Sequence, residues 1–234
     1  MTSSLQQSLP RSIPQLLFNA SVQHAGRTAI EEHGQCIDYS ELPRLALGVT
    51  RSLMAQGIGK GDRVAIWAPN GRDWIIAALG IHCAGAVMVP INTRMKGPEA
   101  ADILLRSGSR LLFVQPSFLG TDYLALLAPY RPASLKCLVL LGETTAASSA
   151  GLDWDGFVAI GAATSESAAL LRAASVNSDD LSDLLFTSGT TGKPKGVMSA
   201  HGQTIRAFSE YVSVIGLQAG DRYLVINPFF HAFG

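Results

Sequence analysis

Hydroxyl groups, glycines and two lysines are concentrated in one short run of the chain, Thr-Ser-Gly-Thr-Thr-Gly-Lys-Pro-Lys. Glycine permits backbone conformations that a Cβ forbids, so consecutive amides can turn inward and form a nest for an anion. The hydroxyls add hydrogen-bond donors, and the lysines add positive charge. The run therefore predicts a phosphate-binding loop. Its candidate binding residues are Thr187, Ser188, Gly189, Thr190, Thr191, Gly192, Lys193 and Lys195.

The residues on either side of this loop predict how it is held. Residues 183–186 form a short apolar run typical of a buried strand, and helical periodicity begins at about His201. Strand, glycine loop and helix together are a common layout for a nucleotide site. The loop is not a Walker A motif, because its glycines are too closely spaced and Pro194 follows Lys193. On composition alone, a flexible surface loop is the alternative.

Strand and helix patterns alternate along most of the chain. The sequence predicts strands at residues 63–67, 85–90, 111–114, 138–141, 183–186 and 222–226, with helices between several of them. Such alternation favours a parallel sheet with crossover helices. An earlier helix over residues 13–25 and a hairpin around Gly34 precede these elements, and residues 142–180 predict an irregular surface excursion. The predicted fold class is α/β, with a mostly parallel twisted sheet and helices on both faces.

Several short motifs follow one another along the chain in a characteristic order and spacing. They are Tyr-Ser-Glu-Leu from Tyr39, Gly-Asp-Arg-Val from Gly61, Pro69-Asn70, Gly85-Ala86, Val-Pro-Ile-Asn from Val89, the phosphate loop, and Asn-Pro-Phe-Phe-His-Ala-Phe-Gly from Asn227. In this order and spacing they resemble the adenylate-forming (AMP-binding) superfamily of acyl-CoA synthetases, firefly-type luciferases and peptide-synthetase adenylation domains. The final motif especially resembles bacterial ligases of fatty or steroid-derived acids.

The resemblance implies a reaction and its participants. A carboxylic acid would be activated by ATP and Mg²⁺ as an acyl-adenylate and then transferred to coenzyme A. The phosphate loop would hold the β- and γ-phosphates, and the aromatic-histidine motif would place Phe230, His231 and Gly234 in the substrate site. No catalytic residue is assigned within the chain, because Lys193 and Lys195 belong to the phosphate loop.

The resemblance also implies a domain arrangement. Residues 1–234 would form an incomplete N-terminal AMP-binding domain of such an enzyme, with opening elements in 1–60 and the α/β layer in 61–234. The C-terminal domain and its adenylation lysine would be absent, so the isolated chain is expected to be inactive. An exposed apolar surface is expected where the remainder would dock, or where a second copy would associate.

Composition limits the class of partner. The chain has 234 residues, no net charge, 47% hydrophobic and 15% charged residues, as expected for a globular protein with a large core. Without a basic run, we expect small-molecule partners and no nucleic acid. Glycines and a proline interrupt the most apolar segment, residues 74–90, before it reaches membrane-spanning length. The N-terminus lacks a secretion signal, which predicts a cytoplasmic location.

Several other polar and aromatic residues are expected to have structural roles. His82 is expected to be a satisfied core histidine, His201 a helix-start residue held by local hydrogen bonds, and Trp67 and Trp74 packing residues. For Asn92 and Arg94, a polar edge beside the site and a solvated turn are equally supported. The three cysteines, Cys36, Cys83 and Cys137, are expected to be reduced core thiols.

Three other functions are consistent with parts of the pattern. A peptide-synthetase adenylation domain shares the phosphate loop. A non-catalytic nucleotide-binding or dimerising fragment would retain ATP contacts without turnover. A Rossmann-type dinucleotide binder is disfavoured, because no GxGxxG follows the early strands.

Overall fold

A computed structural model describes residues 9–142, 151–187 and 194–231. The interior of the phosphate loop, from Ser188 to Lys193, and Gly234 lie outside the described residues. The helices are α1 (Ile13–Gln23), α2 (Leu42–Ala55), α3 (Arg72–Cys83), α4 (Gly97–Ser107), α5 (Tyr123–Leu127), α6 (Trp154–Ile160), α7 (Glu166–Ala174) and α8 (His201–Ile215). The strands are β1 (Thr28–Glu32), β2 (Gln35–Asp38), β3 (Arg63–Trp67), β4 (Val87–Pro90), β5 (Leu111–Val114), β6 (Ser117–Phe118), β7 (Thr121–Asp122), β8 (Cys137–Leu140), β9 (Leu181–Thr187) and β10 (Lys195–Ala200).

Six strands form the central sheet in the order β10-β9-β4-β3-β5-β8. All neighbouring pairs are parallel except β9 and β10, which are antiparallel. Strand β3 is central: Val64 pairs with Met88 on one side and with Leu111 on the other. The α/β class with a mostly parallel sheet is therefore confirmed.

Alternate side chains of the sheet enter two separate hydrophobic cores. In β3, Val64 and Ile66 pack in the core that includes α2 and α3, whereas Ala65 and Trp67 pack in the core that includes α4 and α5. A strand buried on both faces reads as a continuous apolar run, which is how β3 appears in the sequence. Helices on both faces of the sheet are thereby confirmed.

The path of the chain creates a crevice at the carboxyl edge of the sheet. Helix α3 follows β3 on one face of the sheet, whereas α5 follows the adjacent strand β5 on the other face, as their separate cores show. In open α/β sheets, ligands bind in the crevice outside the carboxyl ends of the strands, where such a switch occurs. The loops after β3 and β5 are therefore the expected borders of a binding site.

Several predicted elements are wrong. Residues 222–226 form no strand and are exposed, although their side chains have high β-propensity. A strand needs hydrogen-bonded backbone neighbours, and none pairs with this segment within the described residues. The predicted excursion over residues 142–180 contains α6 and α7, each with a side-chain N-cap, Asp153 and Ser165.

The three cysteines differ in how deeply they are buried. Cys83 is buried, Cys137 is half-buried and Cys36 is exposed on β2, so the prediction of a core thiol is wrong for Cys36.

An apolar surface is exposed on β10, α8 and the segment after α8. Its large side chains include Met198, Val214, Leu224 and Ile226. That the rest of the protein or a second copy covers these side chains remains a prediction. The boundary at residue 60 between the opening elements and the α/β layer also remains a prediction. None of the described helices has the length and apolar character needed to cross a membrane.

Candidate functional site

The β9–β10 hairpin determines where the phosphate loop begins and ends. Thr187, the last residue of β9, and Lys195, the first of β10, are register partners, and both are exposed. Because β9 runs parallel to β4, Thr187 lies at the carboxyl edge of the sheet. The helix predicted from about His201 is confirmed, because α8 begins at that residue, whereas the six-residue strand β10 between the loop and α8 was not predicted.

Two cavities border the residues that were expected to bind substrate. The outer cavity has a volume of about 1030 Å³ and includes Asn70, Arg94, Tyr123 and Phe230 in its lining. The inner cavity has a volume of about 550 Å³, within the usual range for small-molecule sites. Its lining includes Trp74, His82, Asp183, Thr204, Phe229 and His231. The adjacent residues Phe230 and His231 thus line different cavities: Phe230 the outer one and His231 the inner one.

Asn70 clamps the segment that carries the aromatic-histidine motif. Its Nδ2 donates a hydrogen bond to the carbonyl of Asn227 at 2.8 Å, and its Oδ1 accepts one from the amide of Phe229 at 2.7 Å. The ring of Phe229 then packs on Trp74, with centroids 5.0 Å apart. The hydrogen bonds from Asn70 and the packing of Phe229 on Trp74 hold the segment in place where His231 lines the inner cavity. The sequence marks Pro69-Asn70 only as part of a motif and gives no signal for this role.

The inner cavity has a polar floor centred on Asp183, a buried residue of β9. Its Oδ2 accepts hydrogen bonds from Ser182 Oγ at 2.5 Å and Thr204 Oγ1 at 3.5 Å, while its Oδ1 lies 3.9 Å from His82 Nε2. Burial disfavours the carboxylate and raises the pKa of Asp183 above its ordinary value. Asp183 was not predicted as a site residue, because it reads as one polar position in a buried strand.

Two buried histidines lie beside this floor. Burial lowers the pKa of His82 to about 4, and burial together with neighbouring His82 lowers the pKa of His201 to about 4. Both imidazoles are therefore neutral at pH 7, and the contact between His82 and Asp183 is not an ion pair. Their ring centroids are 5.4 Å apart in an edge-on arrangement.

The structure corrects what the sequence predicts for both histidines. His201 Nδ1 accepts a hydrogen bond from the amide of Ile13, at 3.4 Å, which ties the start of α1 to the start of α8. That bond is distant in sequence, not local. His82 is buried as predicted, but its Nδ1 has no hydrogen-bond partner within the described residues, so it is not satisfied. The indole Nε1 of Trp74 and Nε2 of His201 lack partners in the same part of the chain.

The loop after β4 borders the outer cavity. Asn92 Oδ1 accepts a hydrogen bond from the amide of Arg94 at 2.8 Å, and the carbonyl of Asn92 accepts one from Trp67 Nε1 at 3.1 Å. Asn92 is thus a turn residue, while Arg94 lines the cavity. Trp67 is fully buried, which confirms its packing role. Trp74 packs on Phe229 and also lines the inner cavity, so packing describes only part of its environment.

Several curated relatives of this chain are CoA ligases. The chain is 42% identical over 224 residues to "3-[(3aS,4S,7aS)-7a-methyl-1,5-dioxo-octahydro-1H-inden-4-yl]propanoyl:CoA ligase" of Mycobacterium tuberculosis, covering 96% of this chain and 43% of the relative. The ligase of the same description from Rhodococcus jostii is 39% identical over 230 residues, covering 96% and 44%. Long-chain-fatty-acid–CoA ligase FadD13 of M. tuberculosis is 36% identical over 194 residues, covering 82% and 35%. The chain thus spans less than half the length of these curated relatives.

Solved structures and a family model agree with this similarity. The inhibitor-bound N-terminal domain of FACL13 from M. tuberculosis superimposes with a TM-score of 0.77 at 29% identity, covering 94% of this chain and 52% of that one. The anthranilate CoA ligase AuaEII, in complex with anthranoyl-AMP, superimposes with a TM-score of 0.80 at 27% identity, covering 95% and 41%. The model of the AMP-binding enzyme family matches residues 17–234. The chain therefore belongs to the AMP-binding enzyme family.

Proposed function

We propose that the protein carrying this chain is an ATP-dependent carboxylate–CoA ligase acting on a fatty or steroid-derived acid. The observation that carries this proposal is the meeting of two features at one edge of the sheet. The ends of the phosphate loop, Thr187 and Lys195, lie at the carboxyl edge, and Phe230 and His231 border cavities reached from the same edge. The CoA ligases among the relatives support this assignment.

The proposed reaction has two steps. A carboxylate oxygen of the acid bonds to the α-phosphorus of ATP, the bond to the β-phosphate breaks, and pyrophosphate leaves. The thiol sulfur of coenzyme A then bonds to the acyl carbon, the carbon–oxygen bond to AMP breaks, and the thiol proton passes to solvent. The first step brings two anions together, so orientation and charge neutralisation carry most of the catalysis.

The donor groups at the loop suit phosphate. The Thr187 hydroxyl and the Lys195 ammonium both present hydrogens to phosphate oxygens, and Lys195 adds charge. We assign the same role to Ser188, Gly189, Thr190, Thr191, Gly192 and Lys193, which lie outside the described residues. Mg²⁺ prefers oxygen ligands, including phosphate, and would accompany the triphosphate.

The acid would occupy the cavity side of the site. His231 borders the inner cavity and would contact the carboxylate or control its access, while Phe230 would line the route from the outer cavity. Gly234, outside the described residues, keeps its predicted place in the substrate site. A cytoplasmic location and association with a second copy stay predictions.

Acyl-CoA formation by the full-length protein tests the proposal. ATP, coenzyme A and a panel of short, long, aromatic and steroid-derived acids would be supplied, with ATP–pyrophosphate exchange measured alongside. Lys195→Ala is the test variant. Its matched control is Lys136→Ala, because Lys136 is also exposed but precedes β8 at the opposite, amino-terminal edge of the sheet.

We expect Lys195→Ala to lower ATP–pyrophosphate exchange by at least about tenfold, because a charge-assisted hydrogen bond contributes roughly 1.5–3 kcal/mol. Lys136→Ala should retain wild-type exchange. Exchange with amino acids but no acyl-CoA from any acid would instead favour a peptide-synthetase adenylation domain. ATP binding without exchange would favour a non-catalytic nucleotide-binding protein.

A further inference from the structure

The inner cavity joins an apolar wall to a polar floor. His82, Asp183 and Thr204 lie on the floor. Trp74 and His82 both line the cavity and are eight residues apart along α3, which is about 12 Å at 1.5 Å per residue. Because Trp74 packs on Phe229, the floor lies at the end of the cavity remote from Phe229. The wall is largely apolar and includes Ala78, Leu79, Met88, Leu185, Ala207 and Phe208.

Two polar atoms of the floor face the cavity without a partner. Asp183 Oδ2 accepts hydrogen bonds from Ser182 and Thr204, which leaves Oδ1 to accept another. Among the described residues, neither Asp183 Oδ1 nor His82 Nε2 forms a hydrogen bond, since the two atoms are 3.9 Å apart. Neither is sealed off from the cavity, in contrast to His82 Nδ1. The floor therefore presents a carboxylate oxygen and an imidazole nitrogen to whatever occupies the cavity.

The protonation of this pair determines which atom donates and which accepts. The pKa of His82 is about 4, so its imidazole is neutral at pH 7 and carries a single proton. The neighbouring carboxyl group favours the tautomer with that proton on Nε2. Burial raises the pKa of Asp183, but the hydroxyls of Ser182 and Thr204 counteract the rise by stabilising the carboxylate. Asp183 Oδ1 is thus the acceptor of the pair and His82 Nε2 the donor.

A single hydroxyl group satisfies both atoms. An oxygen placed about 2.8 Å from each of them sees them about 90° apart, because they are 3.9 Å from each other. A hydroxyl has a hydrogen to donate to Asp183 and lone pairs to accept from His82. A ketone has no hydrogen for the carboxylate. An ammonium has no lone pair for the imidazole N–H and would lose its hydration among apolar side chains.

We propose that the inner cavity takes a carboxylic acid with a hydroxyl group remote from its carboxylate, and that this hydroxyl donates to Asp183 Oδ1 and accepts from His82 Nε2. The proposal rests on the ligase function proposed above and names a feature of its substrate. The carboxylate would lie towards Phe229 and His231, and the hydrocarbon body along the apolar wall. Ser182 and Thr204 act through Asp183 by holding its other oxygen, so they are positioning residues.

This requirement separates the chain from two of its relatives. The M. tuberculosis and R. jostii ligases are described by a dioxo-octahydroindenyl propanoyl group, whose ring carbonyls can only accept hydrogen bonds. A ring carbonyl at the floor would meet the carboxylate of Asp183 oxygen to oxygen. The corresponding ring alcohol would instead satisfy the pair, so this chain is expected to prefer the alcohol.

The experiment compares acids that differ only at the group that reaches the floor. The full-length protein would be assayed for acyl-CoA formation with ω-hydroxy fatty acids of increasing length and with the unsubstituted acids of equal length. The dioxo-octahydroindenyl propanoate would be compared with its ring alcohols, and ω-amino acids would be included. The measured quantity is the ratio of kcat/KM for each alcohol to that for its matched acid. A hydrogen bond to a charged group predicts a ratio of at least about ten for the alcohol that reaches the floor.

Variants assign this preference to the two residues. Asp183→Asn keeps the shape of the side chain but removes its charge, and His82→Leu removes the donor; each should lower the ratio about fivefold. His82→Gln places an amide nitrogen near the position of Nε2 and should restore the ratio, whereas His82→Asn places one near Nδ1 and should not. The control is Cys83→Ala, because Cys83 is the next residue of α3 and is also buried but does not line the cavity. Because each ratio refers to the unsubstituted acid in the same variant, a general loss of activity cancels.

A binding measurement needs neither turnover nor a folded variant of Asp183. In full-length protein labelled with ¹⁵N-histidine and without ATP, the preferred alcohol should shift the Nε2 resonance of His82, assigned by its absence in His82→Gln. The matched unsubstituted acid should shift it less. A hydroxyl held only by the apolar wall would give equal shifts and would contradict the proposal.

The outcomes distinguish this inference from the ligase function. Acyl-CoA formation with no alcohol preferred would show that the pair holds water alone, and would overturn the inference while the ligase function stands. A preference for ω-amino acids, or one that Asp183→Asn and His82→Leu leave unchanged, would also overturn it. No acyl-CoA from any acid would overturn the ligase function and, with it, the inference. A preference for an alcohol that both variants lower and Cys83→Ala leaves intact would support both.

Discussion

Replacing Asn70 with alanine should release the segment that carries Phe230 and His231. The side chain of Asn70 makes two hydrogen bonds to this segment, at 2.8 Å to the Asn227 carbonyl and at 2.7 Å from the Phe229 amide. A typical hydrogen bond contributes about 1 kcal/mol net, so losing both favours local opening by about 2 kcal/mol. That difference corresponds to an opening equilibrium about 30-fold more populated.

Hydrogen exchange measures this opening directly. The amide of Phe229 should exchange about 30-fold faster in Asn70→Ala than in wild type, while the amide of Ile66 in the central strand should be unaffected, because the two belong to different opening units. Asn92→Ala is the matched control. Asn92 lies in the loop after the neighbouring strand β4 and also accepts a backbone hydrogen bond, from the Arg94 amide at 2.8 Å. Equal protection of Phe229 in Asn70→Ala and wild type would refute the clamp.

Two further predictions concern the stability of the packed core. Because the pKa values of His82 and His201 are about 4 in the folded chain and 6.5 when unfolded, the unfolded chain takes up protons first as pH falls. Acidification from pH 7 to 5 should therefore lower the free energy of unfolding by about 2 kcal/mol per histidine, with Asp183 offsetting part of the loss. Urea unfolding should show a weaker pH dependence in His82→Leu; an unchanged dependence would contradict the assignment. In α3, a Cβ on Gly80 would lie 2.4 Å from Val49 Cβ, so Gly80→Ala should destabilise the chain by about 1–3 kcal/mol through overpacking. Gly48→Ala, whose Cβ would meet only Val158 at 3.9 Å, should be neutral or stabilising in the same thermal unfolding assay, and equal effects of the two substitutions would count against close packing of α2 on α3.

The parts of the fold that the sequence predicts well are those where burial alone determines the pattern. Strands β3 and β5 are covered on both faces and appear as short apolar runs with the observed boundaries. Residues 222–226 show a similar pattern but form no strand, because a strand also requires a neighbouring backbone. That requirement is not encoded within the segment itself.

The missed elements had weaker signals. Strand β10 contains a glycine, a serine and two adjacent apolar residues that are both exposed, so its sequence lacks the alternation typical of a strand. Helices α6 and α7 are short, and their clearest signals are the capping side chains Asp153 and Ser165. Reading these caps as helix starts would have found both helices.

The candidate site likewise contains some residues that the sequence indicates and others that it does not. The phosphate loop and the aromatic-histidine motif are local runs, so the sequence alone indicates them. Asn70 contacts a segment 157 residues further along the chain, and Asp183 meets His82 only because β9 lies beside β4. Contacts of this kind depend on the order of strands in the sheet, which no short window of sequence contains.

Strand β9 belongs to both regions of the candidate site. Asp183 lines the inner cavity, and Thr187, four residues later, lies where the phosphate loop begins. A substitution that displaces β9 should therefore alter the cavity side and the phosphate side of the site together, so neither can be changed independently through this strand.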